Sequence, residues 1–128
     1  MTCPPANQNS YPYQNEPIWS RSEKAVARTA FDAALGRELH ELIQQAKKMA
    51  RQIQGSSDLW DLEHYLTQRR KEIDRKYDYR YSQLTNVFGR LLYEKRISVD
   101  ELSGLGENKL KPIRSLAELL TKDAAGLI

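Results

Sequence analysis

The chain has 128 residues, 29% of them charged, a formal net charge of +3 and a mean hydropathy of −0.71. That length holds one domain, or one with a small appendage, around a modest core. No apolar run approaches the roughly 20 residues needed to span a bilayer. The single cysteine, Cys3, excludes an internal disulfide and suits a reducing compartment.

Residues 1–17 are rich in Pro, Asn, Gln and Tyr, which buries too little to offset ordering entropy, so a flexible tail is expected. The same stretch has neither the basic nor the apolar region of a secretory signal. Ser20 and Glu23 have capping-box spacing and should start the first helix. Its apolar seam reads Phe31, Leu35, Leu39, Leu42, Ala46, Met49 and Ile53, alternating steps of four and three as in a coiled coil. Gly55-Ser56-Ser57-Asp58 should stop it and offer N-caps for the next helix.

The second helix is expected from Leu59 to about Lys95. Its seam is Leu59, Leu62, Leu66, Ile73, Tyr77, Leu84, Phe88 and Leu91, with Arg70 and Tyr81 standing where apolar residues belong. Ser98 and Glu101 form another capping box before a short helix, and Gly104 and Gly106 mark a turn. A last amphipathic piece carries Leu116, Leu119 and Leu120, with Pro112 expected in its first turn or at a kink. No strand pattern is present.

The expected architecture is therefore all-α: a long antiparallel helical hairpin over residues 18–96, a small helical head over 97–128, and the tail 1–17. Helices of about 35 residues are roughly 50 Å long. Two such helices alone leave part of each apolar stripe wet, so pairing of two hairpins as a homodimer is expected.

The chain lacks CxxC, HExxH and P-loop patterns, and its histidines, His40 and His64, lie on different helices. Neither catalysis, nor a metal, nor a cofactor is expected. Asp58 and Asp61 at a helix start complement the helix dipole. The segment Asp58–Arg80 is more informative. Trp60 points about 100° away from Leu59 and shares a side with Glu63, His64, Thr67 and Lys71. It is either buried against a neighbouring hairpin or an exposed anchor of a binding patch. Arg70, on the apolar stripe, needs either a structural acid such as Glu63, Glu72 or Asp74, or a carboxylate on a partner. Residues 69–80 hold six bases against three acids, with Tyr77, Tyr79 and Tyr81 interleaved. Nucleic-acid stacking is one reading. The alternation of sign favours a solvated face laced with salt bridges.

The stretch DLWDLEHYLTQRRKEIDRKYD, with the preceding helix, the following FGRLLYEKRISVDEL and the closing NKLKPIRSLAEL, resembles the cyanobacterial fluorescence recovery protein family over roughly residues 18–120. The resemblance implies a dimeric, all-helical, non-enzymatic regulator of photoprotection. It would bind the photoactivated orange carotenoid protein, mainly its C-terminal domain. It would speed the red-to-orange reversion and help release from the phycobilisome, ending fluorescence quenching. Its place would be the cytoplasm, near the phycobilisomes at the thylakoid face. By position the resemblance puts Trp60 and Arg70 in the partner-binding patch, with Glu63, His64 and Thr67 on the same face. It puts Leu59 in the dimer contact, and the seam residues Leu62 and Leu66 are expected there beside it. Glu63-His64 stands where some members have His-Asp, so no acidic role is carried over to position 64; Asn86 and Pro112 stand where others have an aromatic residue and a lysine, so no role is carried over to the head. A helical adaptor for another protein and a basic nucleic-acid binder are the alternative readings.

Overall fold

The computed structural model describes residues 18–126, and all regular structure among the described residues is helical. Helix α1 spans Arg21–Arg51, α2 Ser56–Lys76, α3 Leu84–Tyr93 and α4 Glu107–Ala124, with a 3-10 turn at Asp100–Leu102. The expected tail lies outside the described residues.

Helix α1 starts as its sequence dictates. The Ser20 hydroxyl accepts the Glu23 amide N–H at 3.1 Å, and the Glu23 carboxylate accepts the Ser20 amide N–H at 2.9 Å. Two orphan donors of the first turn are thereby satisfied. The second capping box also forms, Ser98 with Glu101, but it opens the single 3-10 turn. Asp58, in the first turn of α2, accepts the Gln54 amide at 3.0 Å and closes the connection between α1 and α2.

The expected second helix is two helices. The chain leaves α2 at Lys76 and resumes at Leu84. Heptad spacing alone does not forbid a continuous helix, but the packing of the intervening aromatics does. Tyr77 and Tyr79 both set edges against Phe31, with centroids 5.4 and 4.8 Å away. Such i, i+2 residues share a side of an extended segment and diverge on a helix. The Trp19 indole N–H then donates to the Tyr81 carbonyl at 3.2 Å, which ties the break to the start of α1.

The core sits at the end of the molecule where α1 begins. It joins Trp19, Ala27, Ala30, Phe31 and Ala34 to Leu84, Phe88 and Leu91 of α3, and to Ile97, Leu102, Leu105 and Ile113. Helices α3 and α4 make the most extensive contact between elements, and Gly89 permits it. A Cβ there would lie 2.7 Å from Leu116 Cδ2 and 2.9 Å from its Cβ. The boundary expected at 96/97 therefore cuts through a packed pair, because the apolar face of α3 is covered by α4. Pro112 lies inside α4, beyond its first turn.

Away from this core the apolar stripes are only partly covered. Leu39, Ile43, Leu59 and Leu66 are exposed, and Ile73 is the one buried residue of α2.

Candidate functional site

Helix α2 rotates about 100° per residue, so Trp60, Glu63, His64, Thr67 and Arg70 fall within an arc of about 120°. Trp60, Glu63, His64 and Arg70 are exposed and Thr67 is half-buried. Trp60 is 63% exposed, so within one chain it is not a core residue. The Thr67 hydroxyl donates to Glu63 at 2.9 Å, one turn away.

Of the two readings of Arg70, a structural acid or a partner's carboxylate, the first finds little support within the chain. The Arg70 side chain is 85% exposed and, among the described residues, its one ion pair is with Asp74, at 4.0 Å. Water solvates the guanidinium there, so no buried acid is required. Its neighbour Arg69 takes the structural role, donating to Glu72 at 2.6 Å and to Glu38 at 2.9 Å. Beside the polar arc, on the Arg70 edge, stand Leu59 and Leu66, with Leu62 half-buried further toward α1. The face thus has a polar, aromatic sector and an apolar sector side by side.

A second constellation was not singled out from the sequence. Glu38 continues the α1 stripe Ala27, Ala30, Phe31, Ala34, and its side chain is 1% exposed. Its Oε1 accepts from the Tyr77 hydroxyl at 2.8 Å and lies 2.8 Å from Lys76 Nζ and 3.1 Å from Arg96 Nε. Its Oε2 accepts from Arg69 at 2.9 Å and from Lys76 at 2.9 Å. Lys76 and Arg96 also reach Glu94, at 2.7 and 3.2 Å. Burial alone would raise the Glu38 pKa, but the hydrogen bonds from Lys76, Arg69 and Tyr77 outweigh it and hold the value at about 2. Burial, and then the Glu38 carboxylate, push the Tyr77 phenol up. Arg96 arrives through a tight turn. Lys95 takes a left-handed conformation, φ 63°, while Lys95 N–H bonds Leu92 O and Arg96 N–H bonds Leu91 O. The cluster borders a cleft of about 570 Å³ between α2 and α3, whose wall includes Arg75, Gln83, Asn86 and Arg90.

Among the described residues no group of three His, Cys, Asp or Glu side chains could hold a metal ion, and no helix is long and apolar enough to cross a membrane. The α2 face is thus an exposed ridge, and a buried ionic cluster around Glu38 lies where α2 meets the rest of the fold.

Comparison with known proteins identifies the ridge's context. The profile of the photoprotection regulator fluorescence recovery protein matches residues 19–117. The chain belongs to the fluorescence recovery protein family. The fluorescence recovery protein of Synechocystis sp. (strain ATCC 27184 / PCC 6803 / Kazusa) is 39% identical over 104 residues, covering 81% of this chain and 95% of that one. The solved structure of the Fremyella diplosiphon fluorescence recovery protein superposes with a TM-score of 0.76 at 44% identity, covering 79% of this chain and 99% of the other. The solved Synechocystis structure gives the same TM-score and coverage at 39% identity. The all-helical architecture and a role in regulating photoprotection in cyanobacteria follow from this membership.

Proposed function

We propose that this chain is a non-enzymatic regulator that binds the photoactivated orange carotenoid protein through the α2 face. There it accelerates the red-to-orange reversion and helps release from the phycobilisome. The observation that carries the reading is the ridge itself. A tryptophan and an arginine stand exposed on one helical face, and these are the residue types that dominate binding hot spots. Family membership supports the process, and the resemblance of the segment around Trp60 and Arg70 to the family's motif supports the choice of surface. Glu63, His64 and Thr67 complete the patch between them.

Such an activity needs no active site. A ligand that binds one conformer better shifts the population toward it. Acceleration further requires that the helper stabilise the transition state between the two forms, most simply by holding the partner's separated domains near each other, which raises their effective concentration. The test is the dark recovery of purified carotenoid protein after illumination, timed with and without this chain. A several-fold faster return to the orange form is expected. An unchanged return would leave the helical adaptor reading, with another partner, in its place.

The working unit is proposed to be a homodimer of helical hairpins, joined along the α2 leucines. Leu59 is 46% exposed and Leu66 beside it is also exposed, which a long-lived helical face does not leave wet at no cost. Charge agrees with a two-fold axis across α2. Its first half, Ser56–Gln68, holds three acids and no Lys or Arg, and its second half, Arg69–Lys76, holds five bases against two acids. Antiparallel pairing lays each half over its opposite. Leu59→Glu should therefore give monomers that stay largely helical. Light scattering that still reports a dimer at micromolar concentration would remove Leu59 from the interface.

A further inference from the structure

We infer that Glu38 is a positioning residue: its buried carboxylate fixes the direction in which α2 leaves the α3–α4 head, and thereby sets where the Trp60–Arg70 face stands relative to that head. The inference rests on the reading of that face as the partner-binding surface.

Three parts of the chain converge on this one carboxylate of a fourth. Arg69 and Lys76 come from α2, Tyr77 from the break after it, and Arg96 from the turn after α3, while Glu38 itself belongs to α1. No other group touches all of them. Apolar packing does not do the same work for α2, because Ile73 is its one buried residue and no residue of α2 enters the hydrophobic core. Burial is non-directional and would tolerate sliding. Hydrogen bonds from a fork, an ammonium and a phenol to two fixed oxygens define an angle. The backbone is also bent to add an ion pair: Lys95 holds a left-handed conformation that costs a non-glycine residue free energy, and the turn it closes brings Arg96 Nε to 3.1 Å from Glu38 Oε1.

Leverage makes the joint matter to function. Trp60 lies sixteen residues from Lys76, so it sits roughly 24 Å up the helix from the joint. A rotation of about 10° at the joint would carry it roughly 4 Å. A helper that must touch two parts of its partner at once loses its effect at such a displacement, although each contact survives singly. Loss of the joint should therefore lower the maximal acceleration and leave the affinity of the α2 face nearly intact.

The test uses the full chain with Glu38→Gln, which keeps shape and removes charge, and with Tyr77→Phe, which removes one hydroxyl and keeps the edge contact on Phe31. Recovery of the carotenoid protein is titrated with each, giving a maximal rate and a half-saturating concentration. In parallel, spin labels at Gln54→Cys and Ser115→Cys, in a Cys3→Ser background diluted with unlabelled chain, report the distance from the α2 tip to the head. Glu38→Gln should lower the maximal rate about tenfold and Tyr77→Phe about threefold. Half-saturation should stay within about twofold, and the distance distribution should broaden in both. Wild-type rates and an unchanged distribution in folded Glu38→Gln would overturn the inference. So would a loss that appears wholly in the half-saturating concentration, or one that only tracks the unfolded fraction. If Glu38→Gln does not fold, Tyr77→Phe decides by the same criteria. Failure of the wild-type chain to speed recovery would defeat the proposed function instead, and the distance measurement would still judge the joint.

Discussion

Arg70→Leu is expected to slow carotenoid-protein recovery by on the order of thirtyfold at subsaturating concentration while the melting temperature stays near that of the wild type. The magnitude follows from a hot-spot contribution of about 2 kcal/mol, with each 1.4 kcal/mol worth a factor of ten. The thermal half follows from placement. The Arg70 side chain is 85% exposed and 4.0 Å from Asp74, itself 73% exposed. Exposed pairs of that kind contribute about 0–1 kcal/mol. Leucine there also extends the apolar sector of Leu59 and Leu66, so the proposed dimer should be no weaker. Arg70→Lys should restore only part of the rate, because an ammonium keeps the charge and loses the planar fork that grips a carboxylate. The deficit should appear as a raised half-saturating concentration, the opposite signature to that expected of Glu38→Gln. A folded Arg70→Leu chain that restores the orange form at the wild-type rate would remove Arg70 from the patch.

The contrast between Arg70 and Arg69 shows where sequence reasoning stops. Both follow Leu66 at helical spacing, four and three residues on, so periodicity admits either to the covered side. What selects Arg69 is Glu38, thirty-one residues earlier in the chain. Glu38 in turn was hidden because two stripes overlap on α1. The larger one, through Leu35, Leu39 and Leu42, drew the coiled-coil reading and is incompletely covered within one chain, with Leu39 exposed. The smaller one, of alanines with Phe31, faces the core, and an acid at its next position was the available signal. Lys109 carries the same signal, four residues after Leu105 and four before Ile113.

Local chemistry was legible. The Ser20–Glu23 and Ser98–Glu101 caps form because their donors and acceptors lie three residues apart and need nothing distant. The break after Lys76 was not, because its causes are Trp19 and Phe31, 62 and 48 residues from the tyrosines they hold. The exposed patch was placed by the family motif rather than by periodicity. Nothing in spacing distinguishes an exposed tryptophan from one buried against a second chain.

Glu23 should be the residue whose loss costs the fold most. One carboxylate serves two helix starts and a buried cation. Its Oε1 accepts the Ser20 amide and Lys109 Nζ, both at 2.9 Å, and its Oε2 accepts the amide of Gly106, the N-cap of α4, at 2.7 Å. Lys109 is 3% exposed, bonds the Ile18 carbonyl as well, and lies 5.3 Å from the Trp19 ring centroid. Glu23→Gln removes the counter-charge and leaves that ammonium buried, at a cost of about 3–5 kcal/mol. Removing the ammonium as well, in Glu23→Gln with Lys109→Met, should recover a large part, since the penalty lies in the orphaned charge and not in the lost pair. Acid gives an independent reading of the same carboxylate. The Ser20 and Gly106 amides, with Lys109, hold the Glu23 pKa at about 2 against an ordinary 4.5. A pKa depressed by folding contributes stability above the ordinary value, and that contribution is lost as pH falls through the folded one. Wild-type melting temperature should therefore drop between about pH 4.5 and 2, and Glu38, also held at about 2, adds to the same window. The gap in melting temperature between wild type and Glu23→Gln should be widest near pH 7 and should narrow toward pH 2, where the wild-type carboxyl is also losing its charge. A gap that does not change with pH would mean that the amide bonds, which glutamine can partly keep, rather than the charge on Glu23, hold the two helix starts together.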